Sequence, residues 1–280
     1  MEISRVLLVC HPARQNAAQT AQQLADFLRS KDIRCEILND YRHIPKYPLA
    51  DLCVSLGGDG TALRCARATA PLQMPLLAVN CGSLGFLSAC EEAEAQHCLQ
   101  QILDGNCQIT RRLLLSADIV RAGQKPVTNL LAFNDCVIKT LQPRAFPLRV
   151  QYNGTELKNY YGDGLIVSTP AGSTAYSLAA GGPIVEPDLE VLLLTPICPH
   201  SLTERTLLLR AEGELVFSPA FANAQDRASV SLDGQNDYEL QNGDRVILRR
   251  AKHEARLVSA GTYDFFARLR EKLEWGARRA

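Results

Sequence analysis

The sequence predicts two domains, an α/β N-terminal domain and a β-rich C-terminal domain, with a C-terminal helix packing back on the first. Three observations lead there. Apolar runs of strand length alternate with helix-period segments up to about residue 105. Successive β-type runs then replace the helices. Finally, 280 residues exceed what one typical core needs. The expected domains are 1–105 with 260–280, and 106–259.

In chain order, residues 3–9 read as a buried strand, and residues 16–30 carry Ala17, Ala21, Leu24 and Leu28 at helical spacing. Residues 33–38 and 52–56 read as strands, 61–70 as a helix, 76–79 as a strand and 91–103 as a helix. Such alternation argues for a parallel sheet covered on both faces. Beyond it, 113–121, 130–140, 148–152 and 165–168 read as strands, with several more between 206 and 259. Asn153-Gly154 predicts a hairpin turn because both positions tolerate positive φ. Residues 263–275, with Phe266, Leu269 and Leu273 three and four apart, read as the C-terminal helix.

Composition excludes several classes. Lys plus Arg, at 30, equals Asp plus Glu, so no net field draws the chain to nucleic acid or an anionic membrane. The apolar run 6–10 is too short for a signal-peptide core or a membrane span, which predicts a cytoplasmic protein. The ten cysteines are scattered singly without a C-x-x-C pair and read as reduced core thiols, notably Cys10, Cys53 and Cys136. Five dispersed histidines give no H-x-x-x-H helix face, so no protein-built metal cage is expected.

The chemistry concentrates in two glycine-rich segments. Leu52 to Leu56 runs into Gly57-Gly58-Asp59-Gly60-Thr61, which opens a helix and so lies at the carboxyl end of a parallel strand, where open α/β sheets bind ligands. Glycines let the backbone approach a bulky anion, and the following N–H groups donate to phosphate oxygens. Neither a Walker A lysine nor G-x-G-x-x-G spacing is present. Instead Asp59 stands at the tip, suited to accept a proton from a substrate hydroxyl or to help position a metal carried by a nucleotide triphosphate, with Arg64 a candidate substrate contact further along the segment. A bare Asp-Gly turn capped by Thr61 is the plainer reading, and the added glycines and strand-to-helix context weigh against it.

In the β-rich half, Tyr160-Tyr161-Gly162-Asp163-Gly164 precedes a strand, and Thr169 to Tyr176 follows it. Small and hydroxyl residues interleaved with aromatics suit a pocket for a nucleoside, though turn residues flanking a strand read as well. Asn134-Asp135 places an amide and a carboxylate at the end of an apolar run, where a ribose diol or a solvated bulge would satisfy them equally. His200 is a lone histidine, and such residues are more often structural.

Together these segments resemble the NAD kinase family, whose members transfer a phosphoryl group to the 2′-hydroxyl of the adenosine ribose of NAD. The resemblance rests on Gly57 to Thr61, Val79-Asn80 with Gly82, Leu84-Gly85-Phe86-Leu87, Asn134-Asp135 and Gly162-Asp163-Gly164-Leu165. It continues through Ser168-Thr169-Pro170, Gly172 to Leu178, Gly181-Gly182-Pro183-Ile184, Pro196 to Leu202 and Asp233-Gly234-Gln235. The resemblance implies that Asp59 is the proton acceptor and that Gly60 neighbours the substrate phosphates. It implies NAD contacts at Asn134, Asp135, Asp163, Thr174, Ala175, Tyr176, Ser177, Leu178 and Ala179, with Arg144, Tyr161 and Gln235 as further contacts. ATP, or polyphosphate, is the implied donor, with a divalent ion, Mg²⁺, carried chiefly by the nucleotide. A homodimer or homotetramer is implied as well. Ala171 and Ala179 depart from the bacterial pattern, where threonine and serine are usual, and Ala179 has no hydroxyl to offer. A lipid kinase of the diacylglycerol type shares the Gly-Gly-Asp-Gly-Thr turn, but the polar segment 159–176 offers no greasy acceptor pocket. A non-catalytic NAD(P)-binding sensor is the reading from another class.

Overall fold

A computed structural model describes residues 3–82, 85–121, 123–261 and 264–274. Leu84 of the family segment and the expected helix ends at 263 and 275 lie outside them. The chain divides into two compact units, Met1–Arg111 with Glu254–Ala280, and Arg112–His253.

The first unit opens with β1 (Arg5–Cys10), α1 (Gln15–Ser30), β2 (Arg34–Leu38), β3 (Leu52–Gly57) and α2 (Asp59–Thr69). It continues with β4 (Leu76–Asn80), β5 (Cys90–Glu91), α3 (Ala95–Leu103) and β6 (Cys107–Arg112). The strand order is β2-β1-β3-β4, followed by the late strand Ala255–Ala260 and then β6, with β5 also paired to β4. β1 pairs in parallel with both β2 and β3, so the chain reverses its direction of growth across the sheet between β1 and β3. The strands read as continuous apolar runs because both sheet faces are covered. On one face Ala17, Ala21, Leu24 and Leu28 of α1 join Val6, Leu8, Val54 and Leu56 in a single buried cluster. The α2 helix starts two residues earlier than expected: Gly58 is its N-cap and Asp59 its first residue, so Thr61 is not the cap. A 3₁₀ turn, Glu92–Glu94, replaces the first turn of the helix expected from residue 91.

The second unit is a sandwich of antiparallel strands, β7 (Leu115–Val120), β8 (Val127–Ala132), β9 (Asp135–Thr140), β10 (Phe146–Tyr152), β11 (Thr155–Gly162) and β12 (Gly164–Ser168). After a short helix α4 (Tyr176–Ala179) come β13 (Val191–Ile197), β14 (Leu207–Arg210), β15 (Leu215–Pro219), β16 (Ala228–Leu232), β17 (Asn236–Leu240) and β18 (Arg245–Arg250). Among the described residues they form two six-stranded sheets, β11-β10-β15-β18-β7-β8 and β14-β13-β12-β9-β16-β17. One buried cluster joins their inner faces, with Ile119, Phe217 and Leu248 from the first sheet and Ile138, Leu165 and Val230 from the second. Asn153 and Gly154, at φ 50° and 77°, make the β10–β11 hairpin turn.

The run 130–140, expected as one strand, is two. β8 belongs to one sheet and β9 to the other, and the chain changes sheets at Phe133-Asn134. The Asp233 carboxylate fixes this corner by accepting the N–H groups of Phe133, Asn134 and Asp135 at 2.9, 2.7 and 3.2 Å. A corner between sheets exposes main-chain donors that no ladder satisfies, and a carboxylate is a strong acceptor for them. The chain then returns to the first unit through β19 (Ala255–Ala260), which pairs in parallel with β4. The final helix, α5 (Phe265–Leu273), is capped by Asp264, which accepts from the Ala267 N–H. It packs on the first unit: Leu269 is buried, and Arg268 donates to the Ser88 carbonyl at 2.8 Å.

Candidate functional site

In the first unit, the reversal between β1 and β3 sets two loops side by side at the carboxyl edge of the sheet, the place where such sheets bind ligands. One is the tight junction at which β3 ends on Gly57, passes Gly58 and opens α2 at Asp59; the other follows β1 and carries His11 to Arg14. The Gly58 carbonyl accepts the N–H groups of Thr61 and Ala62, which starts α2 directly at Asp59. The half-buried Asp59 carboxylate takes the Phe86 N–H at 3.1 Å on one oxygen and the Leu87 N–H at 3.4 Å on the other. Two main-chain donors therefore aim a carboxylate that already sits on a rigid strand–helix junction. Gly60 is exposed on the first turn of α2. Arg64, one turn further, points its guanidinium over the Tyr41 ring, 5.8 Å from the centroid.

In the second unit, strand periodicity sorts β9 into two faces. Cys136 and Ile138 enter the core, whereas Asp135, Val137 and Lys139 line a cavity of about 290 Å³ together with Asn134. Its other walls are Ala175, Tyr176, Ser231, Asp233 and Gly234. The segment that contributes Ala175 and Tyr176 is held by hydroxyl bonds: Thr169 Oγ1 donates to the Phe133 carbonyl at 2.7 Å and accepts the Gly172 N–H at 3.0 Å. Ser177 is buried and shares a 2.8 Å bond with Thr195, so its hydroxyl faces the protein.

Asp135 is 5% exposed and faces Asp233. Burial, then the neighbouring Asp233 charge, push its carboxyl up to about 7, against the opposing pull of a hydrogen bond from the Tyr176 main chain. Near neutral pH it can thus either donate or accept a hydrogen bond at the cavity wall.

Of the residues singled out in the sequence, the cavity unites Asn134, Asp135, Ala175 and Tyr176. Thr174, Leu178 and Ala179 flank it along the same segment, with Thr174 Oγ1 bonded to the Ala171 carbonyl and Ala179 exposed. Gln235 follows the turn that carries Asp233 and Gly234. Elsewhere, Arg144 pairs with Asp226 at 3.0 Å, Asp163 is exposed, and Tyr161 meets His200 edge-on at 4.9 Å between ring centroids. Residues that sequence reading missed are Asp233, Lys139 and Arg14. Lys139 has a usable signal, since it falls on the period-2 face set by Asp135. Arg14 has one too, as a cation in the loop after the first strand of a parallel sheet. Asp233 stands in the family segment Asp233-Gly234-Gln235, but its role is hidden, because the amides it holds lie about a hundred residues away in the chain.

Two sequence models match the chain, the ATP-NAD kinase N-terminal domain over residues 46–107 and the ATP-NAD kinase C-terminal domain over residues 133–260. An NAD kinase of Geotalea daltonii is 38% identical over 250 residues, covering 89% of this chain and 86% of that protein. An NAD kinase of Geobacter metallireducens is 44% identical over 231 residues, covering 82% and 81%. The chain belongs to the NAD kinase family.

The NAD kinase fold is equally plain in three dimensions. A yeast NADH kinase complexed with NADH superposes with a TM-score of 0.88 at 24% identity, covering all of this chain and 90% of that one. An NAD kinase from Archaeoglobus fulgidus in complex with ATP gives 0.77 at 23% identity, covering 96% and 98%. At these identities the likeness speaks for the fold alone.

Proposed function

We propose that this member of the NAD kinase family phosphorylates the 2′-hydroxyl of the adenosine ribose of NAD, using ATP, to give NADP. The single observation that carries the chemistry is the Asp59 carboxylate, held by the Phe86 and Leu87 amides at the carboxyl end of β3. In this reading Asp59 takes the proton of the 2′-hydroxyl as the new oxygen–phosphorus bond forms and ADP departs with the old one. A carboxylate with an ordinary pKa of about 4 is a weak base for a sugar hydroxyl, and positioned bases contribute about 10²–10⁴-fold. Alignment of the hydroxyl with the γ-phosphoryl group supplies much of the rest. Asn134, Asp135, Ala175 and Tyr176 are assigned to NAD, in the cavity whose acceptors and aromatic ring suit a nucleoside.

A divalent ion suits this donor set as a passenger on ATP. Among the described residues no group of three or more His, Cys, Asp or Glu is placed to hold one, and both Asp59 oxygens already accept amides. Asp59 is the residue that would meet it, and Mg²⁺, when bound, supplies neutralising charge on the transferring group. Among the described residues no helix is long and apolar enough to cross a membrane. A cytoplasmic location fits the substrates, and a homodimer or homotetramer fits the apolar edge strand β14, whose Leu207 and Leu208 are exposed.

The test is to incubate the pure protein with NAD, ATP and Mg²⁺ and to assay NADP⁺. NADP⁺ formation excludes both a lipid kinase and a silent sensor; NAD binding without turnover overturns the reading in favour of the sensor.

A further inference from the structure

Strand pairing sets two arginines side by side at the amino ends of β1 and β2. Arg5 and Arg34 are Cα partners in the parallel ladder, so both side chains leave the sheet on one face. It is the face opposite α1, because α1 packs on the alternate residues Val6 and Leu8. Like charges in such a pair repel, and opposite charges there are the stabilising arrangement. Neither arginine has such a partner: among the described residues Arg5, Arg34 and Lys46 form no ion pair and no side-chain hydrogen bond. Asp51, the carboxylate that feels the charge of Arg5, turns Oδ2 to the main-chain N–H groups of Ser4 and Arg5 at 2.8 and 2.9 Å.

The three cations line one cavity of about 400 Å³. Its sheet side is Val6 and Leu7, 1% and 2% exposed. The 3₁₀ turn Tyr41–Lys46 covers the same face and buries Ile44, and the segment that follows closes the cavity with Tyr47, Pro48 and Leu49. Leu49 is 72% exposed at the rim. Among the described lining residues Glu36 is the one carboxylate against three cations. The volume falls in the range of small-molecule sites, about 300–1,000 Å³. An anion without an apolar part would leave the apolar wall in water, and a neutral hydrophobe would leave the two arginines opposed. Both demands are met together by an anion with an apolar body.

We propose that this cavity binds a small amphipathic carboxylate of the medium-chain fatty-acid class. It lies at the amino edge of the sheet, away from Asp59 at the carboxyl edge, and does not depend on the kinase reading. The carboxylate is held between Arg5 and Arg34 by charge-assisted hydrogen bonds, and the alkyl chain lies against Leu7, Tyr47 and Pro48. Burial of that chain supplies affinity, and the opposed guanidinium groups supply the choice of an anion.

Calorimetric titration of the full chain with octanoate, octanol and inorganic phosphate tests the assignment. Octanoate is expected to bind at least about tenfold more tightly than octanol or phosphate, and to weaken as salt is added because the arginines are exposed. Arg34→Gln is expected to raise Kd for octanoate about three- to tenfold and to leave octanol unchanged. Leu49→Asp, which sets a further carboxylate at the rim, should weaken octanoate at least as much. Arg29→Gln serves as the control, since Arg29 pairs with Asp26 on α1, and should change neither ligand. Octanol or phosphate binding as tightly as octanoate overturns the proposal, and so does octanoate binding that Arg34→Gln leaves intact or that Arg29→Gln weakens equally. No octanoate binding at about 5 mM overturns it as well. Should Arg34→Gln fold poorly, Leu49→Asp and the salt dependence decide by the same criteria.

Discussion

The Asp59 carboxylate rests directly on the Cα of Gly85: a Cβ at residue 85 would overlap Oδ1, while the next two amides, of Phe86 and Leu87, donate to the two oxygens. Asp59 is short and starts a helix, so it has little room to step aside. Gly85→Ala is therefore expected to push the carboxylate off its amides and to lower kcat by about 10–10²-fold, the scale on which a misplacement of roughly 1 Å acts. KM for NAD should change little. A variant with wild-type kcat would separate Asp59 placement from the reaction.

Asp59→Asn keeps the volume and removes the proton acceptor. The expected loss in kcat is about 10²–10⁴-fold, with NAD affinity by calorimetry nearly intact because the residues assigned to NAD lie on the second unit. Weakened NAD binding at unchanged kcat would make Asp59 a binding group and would leave the proton without an assigned acceptor.

Asp135 makes stability depend on pH. Its carboxyl sits at about 7 in the folded protein against an ordinary value of 3.8, so between those values the folded state holds the extra proton. Stability therefore falls as pH rises from about 4 to about 7 and is flat above, by an amount on the order of 4 kcal/mol. Asp135→Asn abolishes this dependence. Its melting temperature should match the wild type at or below about pH 4 and exceed it at pH 8, and parallel curves for the two proteins would contradict the burial argument.

These relationships differ in how far the sequence reveals them. The parallel strands β1, β3 and β4 are legible because each is a continuous apolar run, and α1 because Ala17, Ala21, Leu24 and Leu28 keep helical spacing. Asn153-Gly154 is legible because the turn is local. The sheet change at Phe133-Asn134 is not, since the apolar pattern runs straight through it and the group that creates it, Asp233, is about a hundred residues away. The pairing of Ala255–Ala260 with β4 is hidden for the same reason. At the site, the Asp59 turn announces itself by its glycines, whereas Arg14 offers only its charge in the loop after β1 until strand order places that loop beside β3.

Asp233 carries the last prediction. Its carboxylate satisfies three main-chain donors at the corner that presents Asn134 and Asp135, and its own backbone sits at φ 52°, in the left-handed region. Two separable demands follow: an oxygen acceptor and tolerance of positive φ. Asparagine in its place would meet the second and part of the first, whereas alanine meets neither. Asp233→Ala should therefore lose about 3–5 kcal/mol of unfolding free energy in urea, and Asp233→Asn about 1–2. The asparagine variant should also bring the Asp135 carboxyl down from about 7, because it removes the charge that raises it second to burial. The stability loss with pH then becomes shallower than in the wild type. Equal losses for the two substitutions would mean that the corner depends on the side chain's bulk and not on its hydrogen bonds.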